Sequence, residues 1–305
     1  MKKWLYTTFI GTLLAATAIA QQLPLYTQYV FNGFVFNPAI AGTHNYYQIR
    51  SNTRVQWVGI TDHPLTNVLS VYGPDKEKDM GYGGYFFSDV TGPTSRSGIS
   101  GSYAYNVRIN EELRLSLGLA MGVLQYKADG ANIELWSEHI GQGSDPLQDQ
   151  VYSKLVPDAT IGAYLYTYNY HVGLSTSQLL NNKLKFLESD SAAFTGISRL
   201  KSHFFFTGGY RYFINREWSV EPTMILRATG AVPMQLDFTT SVIYKNMVSG
   251  GFAMRTGDAL SLLVTYLHEK QYYFGYSYDF SLSSIRKYNS GSHEITIGYR
   301  FNDIK

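Results

Sequence analysis

The chain has 305 residues, enough for one large all-β domain or two ordinary ones. Charged residues make up 16% and aromatics 15%, with 26 tyrosines, a balance that argues against a disordered chain and against a well-solvated helical protein. Twenty-five Lys and Arg against 23 Asp and Glu leave no basic excess to recruit nucleic acid, and the lack of cysteine excludes disulfides, thiolate metal sites and a cysteine nucleophile.

Residues 1–20 open with Lys2 and Lys3, continue as an apolar run from Trp4 to Ala16 and close on Ala18-Ile19-Ala20, the layout of a secretory signal peptide. The alternative, a membrane anchor, is disfavoured because the run is shorter than the roughly 20 residues a spanning helix needs. No later apolar stretch reaches that length either. A membrane-embedded mature chain would therefore have to cross lipid as a closed β-barrel.

Residues 21–42 precede the first strand and are rich in aromatic and large apolar side chains. Left in water, these would be an aggregation liability. The segment is expected to enter or cap the lumen of the barrel, the alternative being a periplasmic tail packed loosely on its mouth. Tyr26, Gln28, Tyr29, Phe31, Asn32, Asn37 and Pro38 are the candidate plug or partner-binding residues.

From residue 43 to 305 the pattern is that of strands. His44 to Gln56 alternates polar even positions (Gln48, Arg50, Asn52, Arg54, Gln56) with Tyr47, Ile49 and Val55 at odd ones. The same period of two runs through Ile99–Ile109, Leu113–Val123, Trp218–Arg227, Met234–Val242, Tyr272–Phe280 and Ile295–Phe301. Blurrier segments near 80–89, 159–168, 171–177, 203–213, 248–256 and 259–267 bring the count to about fourteen, each near the length of a tilted spanning strand. The expected fold is an all-β, transmembrane, antiparallel up-and-down barrel. Its polar face carries Arg50, Arg54, Gln56, Arg108, Arg114, Glu221 and Asp237, the candidate lumen network, with Asp279 and Glu294 on the same parity. Such charges are tolerable in a wet or plugged lumen and costly toward lipid.

Alternate connections should lie on the same side. Gly73–Asp79, Asn110-Glu111, the turn near Asn169, Asn215–Glu217, Asn246-Met247 and His268–Gln271 are short and fall on one side. Val58–His63, Asp89–Arg96, Ala128–Val156, Gln178–Leu200, Thr229–Ala231, Thr256–Asp258 and Ser281–Gly291 fall on the other, which is expected to face outside the cell, with both mature termini periplasmic. A soluble β-sandwich also alternates, but strand length, the charged face and the closing Tyr299-Arg300-Phe301 speak against it.

The seven histidines include no pair at i, i+4 and no HExxH, so neither a metal nor another cofactor is expected. There is no Gly-x-Ser-x-Gly elbow, phosphate loop or dinucleotide fingerprint. His171 and Ser175 share a strand face without a recognised catalytic spacing, and no enzymatic activity is expected. Glycines inside strands, Gly83-Gly84, Gly118 and Gly122 among them, are better explained by curvature and close backbone approach than by a ligand.

Gln28-Tyr29-Val30-Phe31-Asn32 with Asn37-Pro38-Ala39-Ile40-Ala41-Gly42, followed by Arg54-Val55-Gln56-Trp57-Val58-Gly59, Pro64-Leu65-Thr66 and Gly92-Pro93-Thr94-Ser95, resembles the PorP/SprF family of type IX secretion system membrane proteins. The resemblance runs from about Leu23 to Phe301, with Gly33 and Ile40 standing where bulkier or aromatic residues are expected. It implies a protein of the outer membrane of Bacteroidota, in contact with outer-membrane lipid and with the type IX secretion and gliding machinery. It further implies pairing with a cargo or surface adhesin that carries a C-terminal secretion signal. Two functions follow: a non-enzymatic component that binds and helps export or anchor such cargo, or a channel or lipid-type transporter with a polar lumen.

Overall fold

The computed structural model describes residues 26–75, 77–130, 150–185, 197–230 and 232–302. The expected leader, residues 21–25 and most of the two longest connections lie outside them. Fourteen strands form the wall: β1 Tyr47–Val55, β2 Leu65–Asp75, β3 Met80–Thr91, β4 Thr94–Arg108, β5 Arg114–Asp129, β6 Val151–Tyr166 and β7 Tyr170–Ser177. They continue with β8 His203–Tyr210, prolonged by Tyr212–Phe213, then β9 Trp218–Thr229, β10 Val232–Tyr244, β11 Val248–Arg255, β12 Ala259–His268, β13 Tyr272–Ser281 and β14 Ser292–Phe301.

Each strand pairs antiparallel with its neighbours in sequence, and β14 returns to pair with β1, from Tyr47 opposite Phe301 to Val55 opposite His293. The sheet therefore closes into a barrel in which every strand has a partner on each side, which is how a β-structure satisfies its backbone in lipid. Alternation sets the two surfaces. In β14, Ile295, Ile297 and Tyr299 point out and are exposed, while Glu294, Thr296 and Gly298 point in and are buried. The outer surface repeats this with Leu69, Ile99, Leu117, Leu119, Leu262 and Val264. Tyr82, Tyr105, Trp218, Tyr266, Tyr272 and Tyr299 ring the mouth at which β1 begins. An apolar band bordered by amphipathic rings is the outer surface of a membrane barrel.

At that same mouth all the connections are short, and we call it the short-turn mouth. The opposite, long-loop mouth carries residues 56–64, 130–150, 178–202 and 282–291.

Several boundaries differ from the sequence-based ones. His44–Tyr46 is a bend ahead of β1. The Asp89–Arg96 connection shrinks to the turn at Gly92-Pro93, because Asp89 and Arg96 pair across the hairpin at 2.5 Å and Gly92 takes a positive φ of 52°. Strand β6 starts at Val151, not near residue 159, and keeps Pro157 in the ladder opposite Val123. Proline is tolerated there because β7 pairs with β6 only from Ile161 onward, so Pro157 stands on an edge and donates nothing. The 178–200 insertion contains a two-stranded ribbon, Lys183–Lys185 with Ile197–Arg199. Pro222 in β9 has no N–H to offer β8, and the ladder between the two strands breaks there, from Gly209 opposite Thr223 to Tyr212 opposite Val220.

Candidate functional site

The lumen is occupied by the chain's own residues 26–42. Asn37 shows why the local sequence folds there as it does. It caps the 3-10 turn Pro38–Ile40, its Oδ1 accepting from the Ala39 N–H at 3.0 Å, with proline at the position that needs no donor. Its Nδ2 donates to the carbonyls of Ala163 at 3.1 Å and Leu174 at 3.3 Å, on β6 and β7. The turn approaches the wall closely because the wall has glycine there. A Cβ on Gly162 would lie 2.0 Å from the Asn37 Oδ1, and one on Gly118 would lie 2.2 Å from the Ala39 nitrogen. Pro38 and Ala39 are buried against these strands. Gly42, at φ 78°, then turns the chain out past Gly81 toward β1.

Aromatic packing fixes the middle of the segment. Phe34 stacks on Tyr72 with ring centroids 4.3 Å apart, and Phe36 lies 5.7 Å from Tyr26 and 5.3 Å from Phe205. Phe31, half-buried, leans on Tyr273 at 5.2 Å. The Tyr29 hydroxyl reaches Thr239 at 3.3 Å, and the Asn32 amide donates to Asn52 at 2.8 Å while its carbonyl accepts from Ser70. Each large buried side chain contributes roughly 1.5–3 kcal/mol of burial.

The other end of the segment sits in a buried ionic cluster. The Thr27 hydroxyl donates to Asp279 at 2.8 Å and accepts from Arg54 at 2.9 Å and Arg255 at 3.2 Å. The Thr27 N–H donates to Glu294 at 2.7 Å, and Gln28 binds the same residue through its backbone N–H and its side-chain amide. Around them Arg54 pairs with Asp279 at 2.6 Å and with Glu294 at 3.4 Å, and Asp237 takes both Arg227 at 2.8 Å and Arg255 at 3.2 Å. All are nearly inaccessible, so every charge depends on its neighbours for compensation. Burial holds the Tyr26 phenol well above its ordinary range, with repulsion from Asp89 and Glu294 adding to it.

These contacts run from Thr27, close to the long-loop ends of β1, β11 and β13, to Ala41, beside Gly81 at the short-turn end of β3. The expected start of the mature chain, at residues 21–25, lies outside the described residues. Phe301 lies at the short-turn mouth, and Tyr26 lies in the long-loop half, because the segment runs lengthwise through the lumen.

The seven polar residues singled out in the sequence do not form one network. Arg54 and Asp237 belong to the buried cluster. Arg50 is buried and donates to Gln48, while Glu221 pairs with Arg211 at 3.7 Å. Arg114 reaches Asp79 at 3.9 Å at the short-turn mouth, where Arg108 also lies, and Gln56 falls beyond the end of β1. Arg255 and Thr27 escaped the sequence reading. The first stands in a strand with blurred alternation, and nothing in the second's neighbours signals an ionic role.

Between the segment and the short-turn mouth a vestibule of about 1030 Å³ remains, floored by Tyr29, Phe31 and Phe36 and walled by inward tyrosines and arginines. At the opposite mouth Leu184 and Leu200 of the 178–202 connection pack on Leu124, Tyr126 and Val156 over the lumen. Among the described residues no group of three or more His, Asp or Glu is placed to hold a metal ion.

Comparison with known proteins fits this architecture. The family model for the type IX secretion system membrane protein PorP/SprF matches residues 18–299. Among solved structures, the P. putida toluene transporter TodX is similar at 10% identity over 87% of this chain and 92% of that one, with a TM-score of 0.52, a likeness of fold. A Pseudomonas aeruginosa FadL homologue aligns at 11% identity, over 96% and 97% of the two chains, with a TM-score of 0.49. Acinetobacter baumannii Omp33 aligns at 7% identity, over 84% and 98%, with a TM-score of 0.48. No curated protein matches the sequence significantly.

Proposed function

Because the chain belongs to the PorP/SprF family of type IX secretion system membrane proteins, we propose that it is a non-enzymatic mount in the outer membrane of a Bacteroidota cell. In this reading it joins the secretion and gliding machinery to a surface protein that it helps export or anchor. The observation that carries the reading is the lumen filled by residues 26–42 and bonded to its wall at both ends. A wall so filled is a rigid scaffold for protein contacts rather than an open pore.

The long connections then face outward, toward a cargo or adhesin carrying a C-terminal secretion signal. The short-turn mouth, with its vestibule and the C-terminal strand end, faces the periplasmic machinery. Affinity purification of the tagged full-length protein from a detergent extract tests this. Co-purification of secretion-machinery subunits together with a surface protein is expected. A preparation that repeatedly brings down neither, from cells that secrete normally, removes the proposal.

The vestibule is the observation that favours the second reading, a channel. Passage would require residues 26–42 to leave. Planar-bilayer conductance separates the two: the mount predicts a closed intact protein and steady openings after deletion of residues 21–42. Steady conductance by the intact protein, unchanged by the deletion, favours the channel.

A further inference from the structure

Inside the vestibule, below the exposed rim that carries Arg108, two guanidinium groups have no carboxylate partner among the described residues. Arg50 on β1 and Arg300 on β14 stand on the closing strand pair, where Gln48 is the register partner of Arg300 and Gly298 that of Arg50. Every other arginine in the lumen interior has a carboxylate within 4.0 Å: Arg54, Arg227 and Arg255 in the buried cluster, Arg211 with Glu221, Arg96 with Asp89. Among the described residues Arg50 and Arg300 have none.

Both are held in place without being discharged. The Arg50 guanidinium lies 4.7 Å above the Tyr273 ring and its Nε donates to Gln48 Oε1 at 2.8 Å. That of Arg300 lies 4.7 Å from the Tyr46 ring. A Cβ at Gly298 would crowd the Ile49 carbonyl and the Tyr273 Cβ, both at 3.3 Å, and would touch the Arg50 Cγ at 3.5 Å. Around them Arg50 Nη1, Arg300 Nε and Gln48 Nε2 are buried and have no hydrogen-bond partner among the described residues, and the Tyr273 ring closes the group. Arg50 itself is 5% exposed. All three atoms can only donate. All four residues line the vestibule.

Two like charges side by side, with orphaned donors between them, are costly in a part-buried site; a cation would add to that cost, and a neutral sugar could accept from the donors without offsetting the charge. An oxyanion would do both, because planar guanidiniums match its paired oxygens. We propose that Arg50 and Arg300, with Gln48 and Tyr273, form a binding site for an oxyanion, a carboxylate or a phosphate, on a ligand entering from the short-turn mouth. The site stands on this geometry whether the barrel is a mount or a channel.

Isothermal titration of the full mature protein in detergent tests the site, with succinate and inorganic phosphate as probes. Saturable one-to-one binding of at least one probe is expected, weakened by rising chloride and at least ten-fold weaker in Arg50→Gln and Arg300→Gln. Arg286→Gln, on the exposed 282–291 connection, should bind as the parent does. The tighter probe identifies the source, succinate pointing to a carboxylate ligand and phosphate to a phosphate ester. Folding of each variant is read independently from heat-modifiable gel migration, and Arg300→Lys, which keeps the charge and loses the fork, should bind with intermediate strength. Failure of both probes to saturate the folded parent, or full binding by folded Arg50→Gln and Arg300→Gln, overturns the assignment.

Discussion

Arg54 and Glu294 are register partners across the seam where the last strand closes on the first, and the Thr27 backbone and hydroxyl are wedged against both. Replacing Arg54 by methionine leaves Asp279 and Glu294 buried beside each other with Arg255 as their nearest remaining cation, 3.8 Å from Asp279. A loss of about 3–5 kcal/mol is expected, the range for removing one partner of a buried ion pair. Urea unfolding in phospholipid vesicles measures it.

The glycines under the Asn37 turn give a more local handle. Gly118→Val and Gly162→Leu drive side-chain atoms into the Ala39 backbone and the Asn37 amide. Each is expected to cost about 1–3 kcal/mol as overpacking, and to expose the segment to protease while the wall still migrates as a folded barrel. Gly250→Ala, whose added carbon meets nothing within 4 Å, should leave digestion unchanged.

On the outside the direction of the side chain decides the outcome. Ile297 is 53% exposed midway along β14, on the face given to lipid. Ile297→Arg is expected to lose about 2–4 kcal/mol if that level is the bilayer midplane, read by the same vesicle titration. An undiminished stability would place this face in water.

Alkaline pH should loosen the segment. Burial, reinforced at Tyr26 by Asp89 and Glu294, raises the phenols of Tyr26 and Tyr29 above the ordinary value of 10.0. Ionisation is then favoured in the released segment. The stability these neutral phenols contribute is complete below pH 10 and declines as pH climbs above it toward their raised folded values. Protease sites within 26–42 should open over that range, and the Tyr26→Phe, Tyr29→Phe double variant should stay protected to higher pH.

Much of the wall is legible in the sequence because lipid on one face and a filled lumen on the other impose opposite demands on successive residues. Ile295, Thr296, Ile297 and Gly298 display this in four letters. The pattern fails where the demand relaxes. Lys154, Pro157 and Asp158 in β6 lie above the level at which β7 pairs, so the strand hides its own beginning. The candidate site is less legible for a geometric reason. Parity shows that Asp279, Glu294 and Arg54 point inward, but their meeting at Thr27 depends on the stagger of strands around the barrel. Likewise Gly118 and Gly162 read as flexible strand positions until the chain that fills their hollows is in view.

The Thr27 amide and the Glu294 carboxylate are 267 residues apart in sequence, so the bond joins nearly the first described residue to the final staves of the wall. Contacts of such separation form late and slowly. The N-terminal peptide reaches its bonds to Asp279 and Glu294 only once the last strands are in place, whereas the seam's own counter-charges, Arg54 with Asp279 and Glu294, all stand on the wall. The segment thus lies where a mandrel would, with the wall wrapped around it, and a chain trimmed of it would close around water.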